Sequence, residues 1–360
     1  MSRLNGCKAA FAQWYRWMQP PFIIGAPMRV LSGPEMAVEI SAAGGLGFIG
    51  PPLKMASLQT DLGKASELIA GSKVLSAHIG AADNSTLPLG IGYQTWNSDL
   101  KEALAVVEQH RPCAVWLFAP RHGQGELDEW TGAFRQALPH SQIWIQIGTL
   151  REAIDAAGSN TPPDVLVTQG AEAGGHGRAS DGLGLMTLLP EVIDATRARN
   201  IPVIAAGGIA DGRGVAAALA LGATGAAMGT RFLASREARI SRGYQNEVVR
   251  ATDGATSTVR TQLYNHLRGT FGWPGRFAPR TVINRSWTDY QSGVPFEELQ
   301  RLHDEAAKSG DAGWGPDGRL ATYAGASVGL IHQVDKAATI VSRSREEAVG
   351  HLKNLANAMV

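Results

Sequence analysis

Between Phe22 and about Ser235 the chain alternates short apolar runs with longer amphipathic stretches. Eight of the runs are too short for helices and read as strands, at 22–25, 46–49, 87–93, 114–118, 142–147, 164–169, 202–206 and 226–228. Apolar residues recur at helical spacing between them, over 34–43, 56–70, 100–109, 127–138, 150–157, 186–199 and 212–221. Runs that are apolar throughout, rather than alternating, belong to parallel strands buried on both faces, and each strand–helix pair is one βαβ step. Eight such steps predict an α/β fold, a closed (β/α)₈ barrel over 22–235, in preference to an open doubly wound sheet.

The rhythm stops near Arg236. Helical patterns at 244–251 and 296–308 are separated by turn-rich stretches such as Gly272-Trp273-Pro274-Gly275 and 313–318. They predict a helical insertion or cap over one barrel end across 236–323. The remaining segments are a lead-in, 1–21, and a closing segment, 324–360, with its barrel helix at 344–358. Trp273, Trp287 and Trp314 are expected to form the core of the cap.

Composition narrows the partners. The length, 360 residues, fits two domains or one barrel with an insertion. Hydrophobic residues at 44% and charged residues at 18% describe a chain that fills a large core and exclude general disorder. A formal net charge of +1 provides no field for nucleic acid or an anionic membrane, so neither is expected as a partner. No apolar run approaches the ~18 residues of a membrane span, and residues 2–19 mix Arg3, Lys8 and Arg16 with aromatics instead of a secretory core. A cytoplasmic location is the expectation. Cys7 and Cys113 lie too far apart for a Cys-based metal site or a disulfide framework. Near-neutral charge and nine tryptophans leave room for a homodimer.

The 43 glycines exceed the ordinary share of about 7% and follow no repeat. Sorted by the strand they follow, they mark the barrel face that carries active sites. The seventh strand is followed by Gly207-Gly208-Ile209-Ala210-Asp211-Gly212, and the eighth runs into Gly229-Thr230-Arg231. Glycine lets an anion approach backbone N–H groups, and a following helix start adds partial positive charge, so two clusters on neighbouring strands point to phosphate. One cluster alone would be explained by tight turns. The sixth strand ends in Gln169-Gly170-Ala171-Glu172-Ala173-Gly174-Gly175-His176-Gly177-Arg178. His176, with an ordinary pKa near 6.5, suits proton abstraction or the holding of an anion. It has no second ligand at metal spacing, and no metal is expected. Ala26-Pro27-Met28 after the first strand and Gly44 to Gly50 around the second are weaker signals that turn chemistry would also explain.

In this order, Ala26-Pro27-Met28, Ala43-Gly44-Gly45-Leu46-Gly47, Gln169 to Gly177, Ala205-Ala206-Gly207-Gly208-Ile209 and Met228-Gly229-Thr230-Arg231-Phe232 resemble the nitronate monooxygenases. Glu172-Ala173-Gly174-Gly175-His176 is the most specific part. The segments Leu87 to Tyr93 and Gly313 to Arg319 resemble the fungal-type branch. The resemblance implies a TIM barrel that binds FMN and oxidises alkyl nitronates with dioxygen to a carbonyl compound and nitrite. It places Ala26, Pro27 and Met28 by the flavin ring, with Gln146 and Gln169 bonded to the ring or ribityl chain. Gly174 and Gly175 would adjoin the flavin, while Gly207, Gly208, Gly229 and Thr230 would hold its phosphate. His176 matches the catalytic histidine, which would deprotonate a neutral nitroalkane or orient a nitronate already formed. Bacterial relatives of that family carry asparagine on the third strand at the position matched here by Gly92, so the resemblance implies that this flavin contact is absent or comes from Gln94. Two other readings share these residues. One is an NAD(P)H-dependent flavin reductase of the enoyl-thioester type, and the other is a flavin- or phosphate-binding protein without turnover. The barrel enzymes that attack purine nucleotides with cysteine are excluded, since neither cysteine follows the sixth strand.

Overall fold

The structure, a computed structural model, describes residues 3–78 and 86–358; the tips of the lead-in and closing segments lie outside these. The strands are β1 (Phe22–Gly25), β2 (Leu46–Ile49), β3 (Leu87–Gln94), β4 (Pro112–Phe118), β5 (Gln142–Ile147), β6 (Val165–Gln169), β7 (Gly175–Arg178), β8 (Val203–Ala206), β9 (Gly225–Met228), β10 (Thr258–Arg260) and β11 (Phe277–Val282). β1 to β6, β8 and β9 pair in parallel, and β9 returns to β1 to close an eight-stranded TIM barrel. Every barrel strand expected from the apolar runs is present, with end shifts of one or two residues.

Register explains the barrel filling. Phe48 lies beside Gly90, Gly90 beside Ala114 and Trp116 beside Trp144, so these residues share the inward face. The Trp116 and Trp144 rings stack 5.6 Å apart, and the Phe48 ring meets both edge-on. A Cβ on Gly90 would collide with the Phe48 ring. Three large rings therefore require a strand without side chains at that point. The bottom of the barrel is closed by the helix Arg3–Trp14, whose Phe11 and the following Tyr15 are fully buried. Trp144 Nε1 donates to Tyr15 Oη at 2.9 Å, which satisfies both polar atoms inside an aromatic plug. The lead-in is thus part of the core.

The cap contains the expected helices as Arg242–Arg250 and Phe296–Lys308. It also contains strands the helical pattern did not predict. β10 and β11 form an antiparallel sheet with β7, in the order β10-β11-β7, and Gly177 pairs with Ala278. The glycine-rich segment after β6 therefore leaves the barrel and becomes the edge strand of the cap sheet. Trp287 packs on the cap core of Leu263, Tyr264, Leu267 and Leu299, and Trp314 packs beside Tyr244. Trp273 is buried with Ala119 and Phe277 where the cap meets the barrel, and its ring also stacks on His176. The closing helix, Ala337–Ala358, starts before the expected 344 because Glu237 accepts from Ala337 N at 2.9 Å. Arg231 and Asp335, paired at 2.6 Å, fix this return to the end of β9. No helix among the described residues is long and apolar enough to cross a membrane.

Candidate active site

Strand parity collects the predicted residues. Because Trp116 and Trp144 point inward, so do Phe118 and Gln146 two positions on, and the neighbouring pairs Gln94–Phe118, Gln146–Val167, Gln169–Ala206 and Ile24–Ala227 extend that face around the barrel. Ala26, Gln94, Gln146, Gln169, Gly208 and Gly229 therefore line the C-terminal mouth. A Cβ built on Gly229 meets Met28 Sδ at 3.8 Å and Ala26 Cβ at 3.9 Å, so the ends of β1 and β9 face one another. Pro27 covers Gly92, where a Cβ would collide with its ring. The glycine at 92 thus has a packing cause, and no larger side chain fits there while Pro27 holds its place. Gln146 Oε1 accepts from Trp116 Nε1 at 3.0 Å, which leaves its amide N–H groups to donate elsewhere. Gln169 Nε2 donates to the carbonyl of His176 at 3.2 Å. Gln146 and Gln169 also border a cavity of about 490 Å³ with Phe118, Phe277, Arg178 and Arg276.

The glycine-rich ends of β8 and β9 lie across the mouth. Gly207 and Gly208 have φ of +95° and +75°, a left-handed backbone that glycine adopts without strain and that carries the chain out of β8. Among the described residues, the N–H groups of Gly207, Gly208, Gly229 and Thr230 meet no protein acceptor. They end two adjacent strands, and Gly229 leaves the space before them open. Thr230 Oγ1 accepts from Gly325 N at 2.9 Å, so its hydroxyl hydrogen remains to be donated. The helix start after β8 contributes less than the sequence suggests. Asp211 accepts from Arg213 N and Gly214 N and so already neutralises the first turn of Gly212–Ala220. Gly174 is needed for packing, since a Cβ there would collide with Ala324 and Gly325.

His176 lies in β7, half-buried, between the barrel mouth and the cap. Its ring stacks on Trp273 with centroids 3.6 Å apart and planes 8° from parallel. Its Nε2 is 2.9 Å from Asn265 Nδ2, and Tyr323 Oη donates to Asn265 Oδ1 at 3.2 Å. Burial, then the guanidinium groups of Arg260, Arg29 and Arg268, push its pKa down to about 3. The ordinary value near 6.5 assumed from sequence does not hold in this setting, and His176 is neutral throughout the physiological range.

Arg260 holds the loop that carries this histidine. Its guanidinium donates to the carbonyls of Gly175, Ala278, Ala171 and Ala173, spanning both sides of the β7–β11 junction. Arg280 donates to the carbonyl of Ala171 from the same side. Asn265, Tyr323 and Arg260 were not singled out in the sequence, and Trp273 was expected there only as part of the cap core. They stand in the cap, far along the chain from His176, and no local motif marks them.

The nitronate monooxygenase family model matches residues 15–269 of the chain. A nitronate monooxygenase of Metarhizium robertsii, npaC, is 62% identical over 96% of this chain and 95% of its own length. A nitronate monooxygenase of Neurospora crassa is 34% identical over 95% of this chain and 93% of its own. Among solved structures, FabK from Thermotoga maritima superposes with a TM-score of 0.72 at 23% identity, covering 97% of this chain and 98% of that one. That likeness concerns the fold.

Proposed function

The chain belongs to the nitronate monooxygenase family and is an oxidoreductase, and from this premise we propose that it is an FMN-dependent enzyme converting alkyl nitronates and dioxygen to carbonyl compounds and nitrite. The observation that carries the cofactor is the set of four unpartnered backbone N–H groups at the ends of β8 and β9, which suits a phosphate. Gly207, Gly208, Gly229 and Thr230 would hold that group, with the Thr230 hydroxyl as a further donor. Ala26, Pro27 and Met28 would support the ring from β1. Gln146 would donate to it from β5, with Gln94 and Gln169 at the adjoining strand ends, while Gly174 and Gly175 bring backbone close to it. Bound there, FMN supplies the electron acceptance and oxygen chemistry that no side chain here can provide.

The chain's own work is to bind and orient. A nitronate is an anion, and His176 sits among Arg29, Arg260 and Arg268, none of which is paired with a carboxylate among the described residues. Their field favours the anion over the neutral nitro compound. The imidazole, clamped between Trp273 and Asn265, would hold the nitronate by a hydrogen bond from Nδ1. Tyr323 and the cap cover the site and limit water. The test is oxygen consumption with nitronate, accompanied by nitrite and the carbonyl compound, set against oxidation of NADPH by the same preparation. Nitrite release that requires FMN and no NADPH supports the reading. Steady NADPH oxidation without nitrite contradicts it.

A further inference from the structure

The protonation pattern of His176 follows from hydrogen bonds that run back to a group that can only accept. The carbonyl of Phe277 accepts from Gln262 Nε2 at 2.5 Å. A carbonyl has no proton to give, so the Gln262 amide has one orientation, with Oε1 turned toward Asn265. The Asn265 atom 2.6 Å from that oxygen must therefore be Nδ2. The second hydrogen of Nδ2 points to His176 Nε2, 2.9 Å away. The other end agrees, because Tyr323 Oη, 3.2 Å from Asn265 Oδ1, donates to it. Nε2 must then be the unprotonated nitrogen, and in neutral His176 the proton is on Nδ1. Among the described residues Nδ1 has no hydrogen-bond partner and is not sealed from solvent, so it is the ring nitrogen left for a ligand.

We infer that Asn265, held by Gln262 and Tyr323, is a positioning residue that fixes His176 as an Nδ1–H donor, making the enzyme selective for nitronate already formed over the neutral nitroalkane. This rests on the proposed nitronate activity for its substrate and on the hydrogen-bond chain for its cause. To act as a base toward a substrate in the site, Nδ1 must carry a lone pair, with the proton on Nε2. That tautomer sets an Nε2–H against an Nδ2–H, and Asn265 can relieve the clash only by turning its amide over. The turn would break the bonds to Gln262 and Tyr323 and place oxygen against oxygen at Gln262. An Nδ1–H donor is suited instead to an anionic nitro oxygen. The Arg29, Arg260 and Arg268 charges around the ring act in the same direction, since each opposes a second positive charge on the imidazole.

Asn265→Asp reverses the device. A carboxylate accepts from Nε2–H, raises the basicity of the ring and leaves a lone pair on Nδ1. In that variant the C–H bond next to the nitro group can break, its proton passing to Nδ1 and its electron pair into the nitro group to give nitronate. Two readouts test this. The first is the nitrogen-15 spectrum of histidine-labelled FMN-loaded protein, with the His176 signals identified by their loss in His176→Asn. The wild type should show protonated Nδ1 and unprotonated Nε2, and Asn265→Asp the opposite pattern or a charged ring. The second is the initial rate with freshly diluted neutral nitroalkane, before it ionises in solution, relative to preformed nitronate. The wild type should favour nitronate by about 10²-fold or more, the size of a missing general base, and Asn265→Asp should shrink that ratio at least about tenfold. A proton on wild-type Nε2 would overturn the inference, as would a wild type that uses both substrates equally well. So would a switched tautomer in Asn265→Asp with an unchanged ratio. If Asn265→Asp does not fold, the wild-type spectrum and ratio decide alone. If no nitronate is oxidised although the wild-type tautomer is as stated, the function assigned above fails, and the substrate selectivity fails with it, while the tautomer assignment stands.

Discussion

Replacing Arg260 by methionine keeps the aliphatic stem and removes the guanidinium that bridges β7, β11 and the loop before β7. Four carbonyl oxygens lose a donor: Gly175 at 3.1 Å, Ala278 at 2.5 Å, Ala171 at 3.1 Å and Ala173 at 2.7 Å. A hydrogen bond to a charged group is worth ~1.5–3 kcal/mol, so four of them set an upper bound near ~6–12 kcal/mol. Three effects reduce it. Ala171 keeps its bond from Arg280, at 3.2 Å. A buried cation without a carboxylate partner is released, and burial together with Arg280 already pushes the pKa of Arg260 down to about 10. Water can also reach part of the loop. We therefore expect Arg260→Met to destabilise by ~2–4 kcal/mol, read from urea unfolding of the FMN-loaded protein. With the strongest of the three charge effects gone and burial still in place, the His176 pKa should also rise part of the way toward its ordinary value, read from its imidazole resonances against pH. A loss below ~0.5 kcal/mol, typical of an indifferent surface position, would refute the view that Arg260 anchors the histidine loop.

Other expectations follow from the same geometry. His176 has a folded pKa near 3 against about 6.5 unfolded. The unfolded chain then binds the extra proton between those values, so the contribution of His176 to stability is complete above about 6.5 and is lost as pH falls toward 3. His176→Gln should lose less stability than wild type between about pH 7 and pH 5, as measured by unfolding at each pH; parallel curves would contradict the buried neutral ring. Gly229→Val should fold, since its Cβ has only ordinary contacts at 3.8 and 3.9 Å and its φ is −108°. It should nevertheless weaken FMN binding at least tenfold, and stoichiometric flavin in the purified variant would move the phosphate elsewhere. Gly92→Asn must displace Pro27 and should cost ~1–3 kcal/mol, as overpacking does, with an unchanged melting temperature as the contrary result.

The barrel was legible because parallel strands buried on both faces read as uniform apolar runs, and helices such as Phe296–Lys308 carry a full amphipathic period. β7 was not, because Gly175-His176-Gly177-Arg178 has neither apolar alternation nor β-branched residues and is held in extended form by β11 from a distant part of the chain. β11 is interrupted by Pro279, which ordinarily argues against a strand. The helix Arg3–Trp14 carries little periodicity and owes its place to Phe11 and the aromatic plug below the barrel. At the site, backbone-driven positions such as Gly207, Gly208 and Gly229 were readable as glycine clusters tied to strand ends. The surroundings of His176 were not. Asn265 lies 89 positions away and Trp273 further still, so the low pKa and the tautomer arise only when the cap folds over the mouth.

The central claim is that this site oxidises nitronates through a flavin held at the ends of β8 and β9. Its most direct measurement is anaerobic mixing of the purified protein with an alkyl nitronate, and separately with NADPH, while the flavin absorbance is followed. The account predicts rapid loss of the oxidised flavin spectrum with nitronate and no comparable change with NADPH. Prompt reduction by NADPH with none by nitronate, or a colourless protein that FMN cannot reconstitute, would contradict it.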